Sequence, residues 1–347
     1  MSYLTTLIAS RMFAPMLHPF HKQFRRIPML LVVCALVSVA AEVFAADSLV
    51  GLHSAQVMSQ SMPWIAQEAG LFRKYDLDFR LVFISSSPVA TAATLNGDAE
   101  IALTGAIGNV RAYVQGFTDL VFVGGVKNFL THSIVAKPEI KRPEDLKGKK
   151  IAVGRFGGNT HYFTIQALKK FGMDASKDIQ TIQTGGGPET LAALFAGNVD
   201  AAGLVAPGDA AAVNRGFVYV INGFDLRIPY SATQFVTLRS VLNKRGPVIG
   251  RFMRVMAESA TILHTDKTFV YKVLGKYLRV TDTNVLDSAY QSEIRALERR
   301  LEIREAALQA SLDEIAPLDP RAKIIKPQEL IDRRYLVELD KSGIFDK

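Results

Sequence analysis

The hydrophobic pattern between residues 50 and 240 consists of short apolar runs separated by longer amphipathic or alanine-rich stretches. Runs bounded by glycine or polar residues predict buried strands, and the stretches between them predict helices. The predicted strands are residues 50–53, 81–84, 99–103, 120–126, 132–136, 151–154, 179–183, 199–205, 219–224 and 232–238. Strands that alternate with helices predict an α/β fold with mostly parallel sheets.

The middle of the chain contains an internal repeat at an offset of 100 residues. Residues 85–117 and 185–217 align without gaps and are identical at ten of 33 positions. Some of the matches are alanines in alanine-rich segments, but Pro88 coincides with Pro188 and three pairs of glycines coincide as well. Because proline and glycine mark the starts and ends of helices, the two copies have the same predicted boundaries.

Each copy predicts a helix, a strand and a second helix in that order. Ser87 or Gly187 is the predicted N-cap of the first helix, and Gly97 or Gly197 is its predicted left-handed C-terminal residue. Two α/β units of one design in one chain predict two lobes, with a ligand cleft or an enzyme cleft between them. Stacked repeat proteins are disfavoured, because they need at least three repeats.

The repeat and the strand-like runs around it divide the chain into segments. Residues 46–126 are expected to form the first part of lobe 1, residues 127–222 lobe 2, and residues 223–347 the return strand and C-terminal helices of lobe 1. After residue 240 the pattern predicts mostly helices that cover the first lobe. The apolar residues that recur there at helical spacing are Ile294, Leu297, Leu301, Leu308, Leu312 and Ile315.

The first 45 residues have the pattern of a secretory signal peptide. Basic residues up to Arg26 precede an apolar run at 27–41, and Val43-Phe44-Ala45 supplies small residues at the positions that signal peptidase reads. The run is shorter than the ~20 residues that span a bilayer, so a membrane anchor is disfavoured. We therefore predict cleavage after Ala45 and a periplasmic protein, with Met1, Met12 or Met16 as the possible start.

Charge and cysteine content narrow the function. The chain has a formal net charge of +8, and residues 1–45 hold four Lys or Arg and one Glu, which leaves +5 for the rest. No basic cluster stands out in that remainder, so nucleic acid is not an expected partner. The only cysteine is Cys34, inside the predicted signal peptide. Disulfides, thiolate metal sites and a cysteine nucleophile are therefore not expected in the processed chain.

Three segments resemble a known family of binding proteins. They are residues 63–72 (PWIAQEAGLF) with Tyr75-Asp76-Leu77-Asp78, residues 144–153 (EDLKGKKIAV), and residues 331–336 (IDRRYL) with Ser342-Gly343-Ile344. In this order they are similar to the sulfonate/nitrate/taurine/bicarbonate-binding type of ABC solute-binding protein, which is related to pyrimidine-precursor-binding proteins. The resemblance covers residues 48–347.

The resemblance implies a two-lobed periplasmic binding protein fold, type II-like, in which a small molecule binds between the lobes. It also implies delivery to the membrane permease of an ABC importer. We expect a monomer without cofactor or metal. An oxoanion such as a sulfonate, nitrate or carboxylate is the leading ligand class, and a neutral or cationic heterocycle such as a pyrimidine precursor is the alternative.

Candidate ligand-binding residues follow from the positions of loops. In parallel α/β units, ligands bind beyond the carboxyl ends of the strands, where helix N-termini favour anions. The loops at these ends supply the candidates Ser59, Gln60, Ser61, Ser85, Ser86, Ser87, Thr104, Gly105, Arg155, Gly158, Asn159, Thr160, His161, Gly186, Gly187 and Pro207.

Some of these candidates have plain structural interpretations. Asn159 or Thr160 is equally well explained as a helix N-cap. Arg155 is suited to a carboxylate or sulfonate, yet an outward, solvated arginine is as well supported. His161 lies where similar nitrate- or sulfonate-binding proteins carry a histidine, although the loop reads Gly-Asn-Thr-His rather than Gly-Ser-x-His. A lone histidine is more often structural, but the position of His161 at a helix start in the cleft raises the expectation that it binds ligand above that base rate.

Two functions from other classes remain open at this point. An enzyme on the same fold, such as a desulfinase or a pyrimidine synthase, is disfavoured because those relatives use a reactive cysteine or a histidine/cysteine cluster. A periplasmic sensor input protein binds its ligand in the same way and is not separable by sequence.

Overall fold

Two five-stranded sheets organise residues 46–346, the part of the chain that the computed structural model describes. The first sheet has the strand order β2-β1-β3-β10-β4 and the second has the order β7-β6-β8-β5-β9. The strands are β1 Asp47–His53, β2 Leu77–Phe83, β3 Ile101–Thr104, β4 Leu120–Phe129, β5 Ser133–Ala136, β6 Lys150–Val153, β7 Gln180–Gln183, β8 Ala201–Leu204, β9 Val218–Asn222 and β10 Pro229–Leu238.

Fourteen α-helices in this part of the chain connect and cover the strands. They are α1 Met62–Glu68, α2 Leu71–Lys74, α3 Ser87–Leu95, α4 Ala106–Val114, α5 Asn159–Lys170, α6 Ala175–Asp178, α7 Gly187–Phe195, α8 Gly208–Val213, α9 Gly223–Leu226, α10 Arg239–Thr265, α11 Lys267–Leu278, α12 Thr283–Ile294, α13 Glu305–Ile315 and α14 Arg334–Lys341. None of the described helices is both long and apolar enough to span a bilayer.

In each sheet four strands run in one direction, and one strand, β10 in the first sheet and β5 in the second, runs antiparallel to both of its neighbours. In the first sheet β1 pairs in parallel with β2 and β3, and β10 runs antiparallel to β3 and β4. In the second, β6 pairs in parallel with β7 and β8, and β5 runs antiparallel to β8 and β9. The predicted α/β fold with two mostly parallel sheets is therefore confirmed.

The chain passes from the first sheet to the second and back at two short crossings. Strand β4 ends at Phe129 and β5 begins at Ser133, so the first crossing is residues 130–132. The return runs from Asn222 to Pro229 and includes α9. The first crossing thus lies a few residues beyond the expected boundary at 126/127, because β4 extends through Lys127 as a paired strand.

The correspondence at an offset of 100 residues also extends to hydrogen bonds at the start of the first strand in each sheet. In the first lobe Glu100 N donates to Val50 O at 2.9 Å, and Val50 N donates to the Glu100 carboxylate at 3.3 Å. In the second lobe Asp200 N donates to Lys150 O at 2.9 Å, and Lys150 N donates to the Asp200 carboxylate at 3.0 Å. An acidic residue ends the helix-to-strand loop in the same way in both lobes.

The predicted helix ends also coincide. Gly97 has φ 79° and its N–H donates to Thr94 O, while Gly197 has φ 72° and its N–H donates to Leu194 O. Glycine adopts this left-handed conformation without the strain that a side chain would cause. The N-caps are Ser86 and Gly186, one residue before the predicted ones.

The C-terminal region differs from the periodicity prediction between residues 295 and 304. Helix α12 ends at Ile294 and α13 begins at Glu305, so the apolar residues between them are not helical. Instead Glu298 N donates to Val126 O at 2.8 Å and Gly125 N donates to Leu301 O at 2.7 Å. Leu297 and Leu301 are buried because their segment pairs with the edge of β4. Helical spacing alone did not reveal this edge pairing.

The two lobes are covered to different extents. In the first lobe, α10 packs against α1 and α2, and α13 packs against α4 and β10. In the second lobe one apolar cluster contains seven buried residues, which are Val135, Ala152, Leu194, Val199, Ala202, Leu204 and Ala212. The predicted signal peptide and its cleavage site lie outside the described residues.

Candidate functional site

A cavity between the two lobes opens where the loops at the carboxyl ends of the strands face each other. It contains about 820 Å³ of space between the protein atoms, open solvent included. Loops after β1 and β2 form the first-lobe wall, and loops after β6 and β7 form the second-lobe wall. Both walls lie beyond the carboxyl ends of parallel strands, where α/β folds bind ligands.

The structure brings most of the sequence candidates into this cavity. Those that line it are Ser59, Gln60, Ser85, Ser86, Ser87, Arg155, Gly158, Asn159, Thr160, Gly186 and Gly187. Those that do not are Ser61, Thr104, Gly105, His161 and Pro207. Loops from both lobes therefore meet at this cavity, while the part each side chain plays differs from residue to residue.

Gln60 and Thr160, which are repeat counterparts, hold the loops that follow β1 and β6. Gln60 Oε1 accepts hydrogen bonds from the N–H groups of Ser54 at 2.8 Å and Ala55 at 2.9 Å. Thr160 Oγ1 accepts one from Gly154 N at 2.9 Å. Because these oxygens are occupied by their own lobes, the two side chains shape the cavity wall.

Ser59 and Asn159, also repeat counterparts, both bond to strand β10. Ser59 Oγ lies 3.0 Å from Thr233 Oγ1. Asn159 Nδ2 donates to Ala232 O at 2.8 Å, and Asn159 Oδ1 accepts from the Tyr230 hydroxyl at 3.2 Å. Since Asn159 begins a second-lobe helix and β10 belongs to the first sheet, the Asn159 amide joins the lobes across the cleft.

The seryl loop at residues 85–87 and the glycyl loop at 185–187 begin the equivalent helices α3 and α7. Ser87 Oγ accepts a hydrogen bond from Gly105 N at 3.2 Å, so it acts within the first lobe. The Ser86 hydroxyl has no partner among the described residues. The N–H groups of Gly186 and Gly187 likewise make no hydrogen bond to a described residue. Free donors at a helix start form a favourable anion site.

The candidates outside the cavity have structural positions. His161 Nδ1 accepts a hydrogen bond from Gly157 N at 3.2 Å, and its ring lies edge-on to Phe156 at 5.1 Å. Burial, followed by the charge of Arg111, lowers the pKa of His161. These contacts lie within its own loop, so the geometry gives no support to the prediction that His161 binds ligand.

The other four lie at the starts of helices or just before them. Ser61 and Thr104 are buried, and their hydroxyls have no partner among the described residues. Pro207 is the residue before α8. Gly105 lies directly against Asn159 of the other lobe, and a Cβ at Gly105 would overlap the Asn159 amide. A glycine at this position permits the close approach of the lobes.

Sequence reasoning missed a buried ion pair beside the cavity. Lys127 lines the cavity, and its Nζ lies 2.8 Å from Glu293 Oε2 and 3.0 Å from Thr131 Oγ1. The side chains of Lys127 and Glu293 are 2% and 1% exposed, so each charge needs the other. The signal available in the sequence was a lone lysine inside the apolar run of β4. Its partner could not be predicted, because Glu293 lies 166 residues away in the chain.

His132 was also missed. It lines the cavity, is 5% exposed, and makes no hydrogen bond to a described residue. Burial first, and then the neighbouring charge of Lys127, lowers the pKa of His132 to about 3. The imidazole is therefore neutral at physiological pH and offers one donor and one acceptor.

Among the described residues, the cavity wall contains two cationic side chains and no carboxylate. Arg155 is exposed and has no ion-pair partner among the described residues, whereas Lys127 is paired with Glu293. The starts of α3, α5 and α7 all contribute to the wall. The electrostatics of the cavity therefore favour a negatively charged group.

Comparison with known proteins places the chain in a family. A family model described as NMT1/THI5 like matches residues 61–266, which is more than half of the chain. The chain belongs to the NMT1/THI5-like family. The match begins before α1 and ends after α10, so this family region contains the strands of both lobes except β1.

The chain is also similar to a curated protein, the taurine-binding periplasmic protein of Escherichia coli (strain K12). The two are 31% identical over 154 residues, which cover 43% of this chain and 44% of the relative. The chain thus matches less than half the length of that relative. Together with the family match, this confirms the resemblance to the sulfonate- and taurine-binding type of protein.

Solved structures with low sequence identity share the fold. The alkanesulfonate-binding protein of Xanthomonas axonopodis pv. citri, bound to MOPS, has a TM-score of 0.69 at 20% identity over 83% of this chain and 98% of that one. The aliphatic sulphonate-binding protein of Escherichia coli has 0.66 at 21% over 83% and 92%. A desulfurization enzyme has 0.65 at 12% over 85% and 99%. The fold therefore occurs in binding proteins and in an enzyme.

Proposed function

We propose that this protein is the substrate-binding component of an ABC importer and that it captures a small oxoanion between its lobes. The observation that carries the proposal is the cleft wall, in which three helix starts and Arg155 face a cavity that no carboxylate of residues 46–346 lines. Membership of the NMT1/THI5-like family and similarity to a taurine-binding periplasmic protein support the transport role.

The polar groups of the cleft suit the oxygens of a sulfonate, carboxylate or nitrate. Free N–H groups at Gly186 and Gly187 and the Arg155 guanidinium supply donors, and hydrogen bonds to a charged group are stronger than neutral ones. Val57, Phe83 and Val205 provide apolar surface in the same cavity for the organic part of a ligand.

An enzyme of the same fold is the weaker interpretation. In the part of the chain that the structure describes, the residues that line the cavity include no cysteine and no carboxylate, and the one histidine among them is His132. Proton transfer at neutral pH favours a group with a pKa near 7, and the lowered pKa of His132 is far below that value. The cleft is therefore better equipped for binding than for acid–base chemistry.

Calorimetric titration of the purified protein tests the ligand class. The panel contains alkanesulfonates, carboxylates, nitrate, taurine and a neutral pyrimidine at constant ionic strength. We expect an oxoanion to bind and to raise the unfolding temperature, since a hundredfold excess over Kd stabilises the native state by ~2.7 kcal/mol. Binding of the pyrimidine with no response to any anion would contradict the proposal. Turnover of a bound compound would instead indicate an enzyme.

Delivery and export need separate measurements. Deletion of the gene should abolish cellular uptake of the anion that the protein binds, and restoring it should return uptake. Retained uptake would favour a sensor role.

Mass spectrometry of the protein from the periplasmic fraction is expected to find Ala46 as the N-terminus, and an intact N-terminus would refute the cleavage prediction.

A further inference from the structure

A second cavity lies at the crossings between the two sheets, apart from the ligand cleft. It is lined by the end of β4, by the return crossing and by the segment between α12 and α13, and it shares no lining residue with the cleft. Phe129 and Pro229 form its strand side, and these two residues are paired in the β4–β10 ladder. We call this cavity the hinge groove.

The hinge groove is strongly cationic. Three arginines line it, Arg227, Arg295 and Arg304, and its one acidic lining residue is Glu298. The Glu298 carboxylate is already engaged, because it accepts hydrogen bonds from Arg304 Nε at 2.7 Å and Asn128 Nδ2 at 3.1 Å. Among the described residues, Arg227 and Arg295 have no ion-pair partner.

Aromatic rings position the two unpaired guanidinium groups. Arg227 lies 5.4 Å from the ring centre of Phe224 and 5.6 Å from that of Phe129. Arg295 lies 4.9 Å from the ring centre of the same Phe224. Contact with an aromatic face leaves the N–H edge of a guanidinium available, and such an edge binds oxygen anions in a bidentate manner. Two cations held around one ring favour an anion that neutralises both.

We propose that the hinge groove is a second anion site, for a small oxoanion with at least two negative charges, such as a phosphate. Arg227 and Arg295 bind the oxygens, and Arg304, whose partner Glu298 lies in the groove, adds to the positive field. The site belongs to the crossing between the lobes and does not depend on the nature of the cleft ligand.

The test is a titration with inorganic phosphate of protein purified after expression of the full chain. Ionic strength is held constant with sodium chloride, so that general screening does not contribute. The variant Arg227→Ala/Arg295→Ala is compared with Arg142→Ala/Arg321→Ala, which removes the same charge from exposed arginines that line neither cavity. Arg155→Ala reports on phosphate binding in the cleft.

We expect the groove variant to lose at least tenfold in phosphate affinity, while the control variant stays within about twofold of the unchanged protein. Loss of phosphate binding in Arg155→Ala alone would assign the anion to the cleft and overturn the proposal. Phosphate binding that is absent, or equal in all variants, would overturn it as well. If the double variant unfolds, Arg295→Gln and Arg227→Gln are measured singly under the same criteria.

Discussion

The two walls of the cleft come from the same repeat but use different chemistry. In the first lobe the loop at the start of α3 carries three serines, and in the second lobe the loop at the start of α7 carries three glycines. C-terminal helices cover the first lobe, whereas the second lobe contains a separate apolar cluster of seven buried residues. The first lobe thus offers hydroxyl groups to the cleft, and the second lobe offers backbone N–H groups and Arg155.

Because the lobes align at an offset of 100 residues, each position has a natural counterpart. Replacing a residue with its counterpart changes one lobe toward the other and leaves the rest of the fold as it is. Four such replacements test which differences between the lobes matter for binding and for stability.

The largest effect is expected for Gly105→Val, which introduces the residue found at Val205. The new side chain occupies the space that the Asn159 amide fills, so the lobes cannot approach as closely. Overpacking costs ~1–3 kcal/mol, and the displaced hydrogen bonds of Asn159 add to it, so we expect about a hundredfold weaker ligand binding.

Calorimetry measures that loss, and Gly105→Val/Asn159→Ala should recover part of it. A matched control is Gly208→Ala, because the nearest atom to a Cβ at Gly208 is Leu204 Cδ2 at 4.0 Å. Unchanged affinity of Gly105→Val would show that binding does not require this interlobe contact.

The second prediction concerns Arg155→Ala, which places the counterpart Ala55 in the second lobe. A hydrogen bond to a charged group contributes ~1.5–3 kcal/mol, and exposure of Arg155 favours the lower value, so we expect about tenfold weaker anion binding. The loss should shrink as salt is added, since the interaction is electrostatic. A neutral ligand whose affinity is unaltered serves as the control. Anion affinity that does not change would place Arg155 outside the site.

The third prediction concerns Asp209→Asn, which introduces the residue type found at the counterpart position, Asn109. Burial, and then the negative charge of Glu293, raises the pKa of Asp209 to about 6, although the Tyr219 hydroxyl donates a hydrogen bond to its carboxylate. Helix α12 with Glu293 belongs to the first lobe and α8 with Asp209 to the second. Two carboxylates from different lobes therefore lie near each other.

The sign of the pH effect follows from this raised pKa. A carboxyl group whose pKa is higher in the folded protein than in the unfolded chain binds a proton on folding, so the free energy of unfolding falls as pH rises from about 4 to about 6. Asp209→Asn should remove this dependence and raise the free energy of unfolding at pH 7 by ~2 kcal/mol, since one pKa unit corresponds to ~1.4 kcal/mol. Denaturant unfolding at several pH values measures the effect. A variant that is less stable than the unchanged protein at pH 7 would refute it.

The smallest effect is expected for His161→Ser, which introduces the residue type found at the counterpart position, Ser61. His161 lies outside the cavity and bonds within its own loop, so ligand affinity should change by less than about twofold. The unfolding free energy should fall by about 1 kcal/mol through the lost hydrogen bond to Gly157 N. A tenfold loss of affinity with unchanged stability would restore His161 as a ligand-binding residue.

The repeat made the fold and the cleft loops predictable from sequence. Glycines such as Gly97 and Gly197 reveal helix ends because the left-handed conformation restricts the residue type. Side-chain roles were not predictable in the same way. Gln60 and Thr160 share a hydrogen-bonding role although one is an amide and the other a hydroxyl, so their equivalence is visible only in three dimensions.

Contacts between segments far apart in the chain were the main features that the sequence did not predict. The pairing of Lys127 with Glu293 joins residues far apart in the chain, and a local pattern does not report such a partner. The segment with Leu297 and Leu301 has helical spacing, but its backbone hydrogen bonds go to β4. Tertiary pairing there outweighs the local preference.

The position of β10 between β3 and β4 has a consequence for the order of folding. The second sheet is complete once residues 133–222 are available, whereas the first sheet lacks the strand that joins β3 to β4 until Pro229–Leu238 arrives. Contacts between segments far apart in sequence form slowly, because the chain between them must first be closed into a loop. We therefore expect the second lobe to acquire protection from hydrogen exchange first, and the first lobe to become protected only when its late strand inserts.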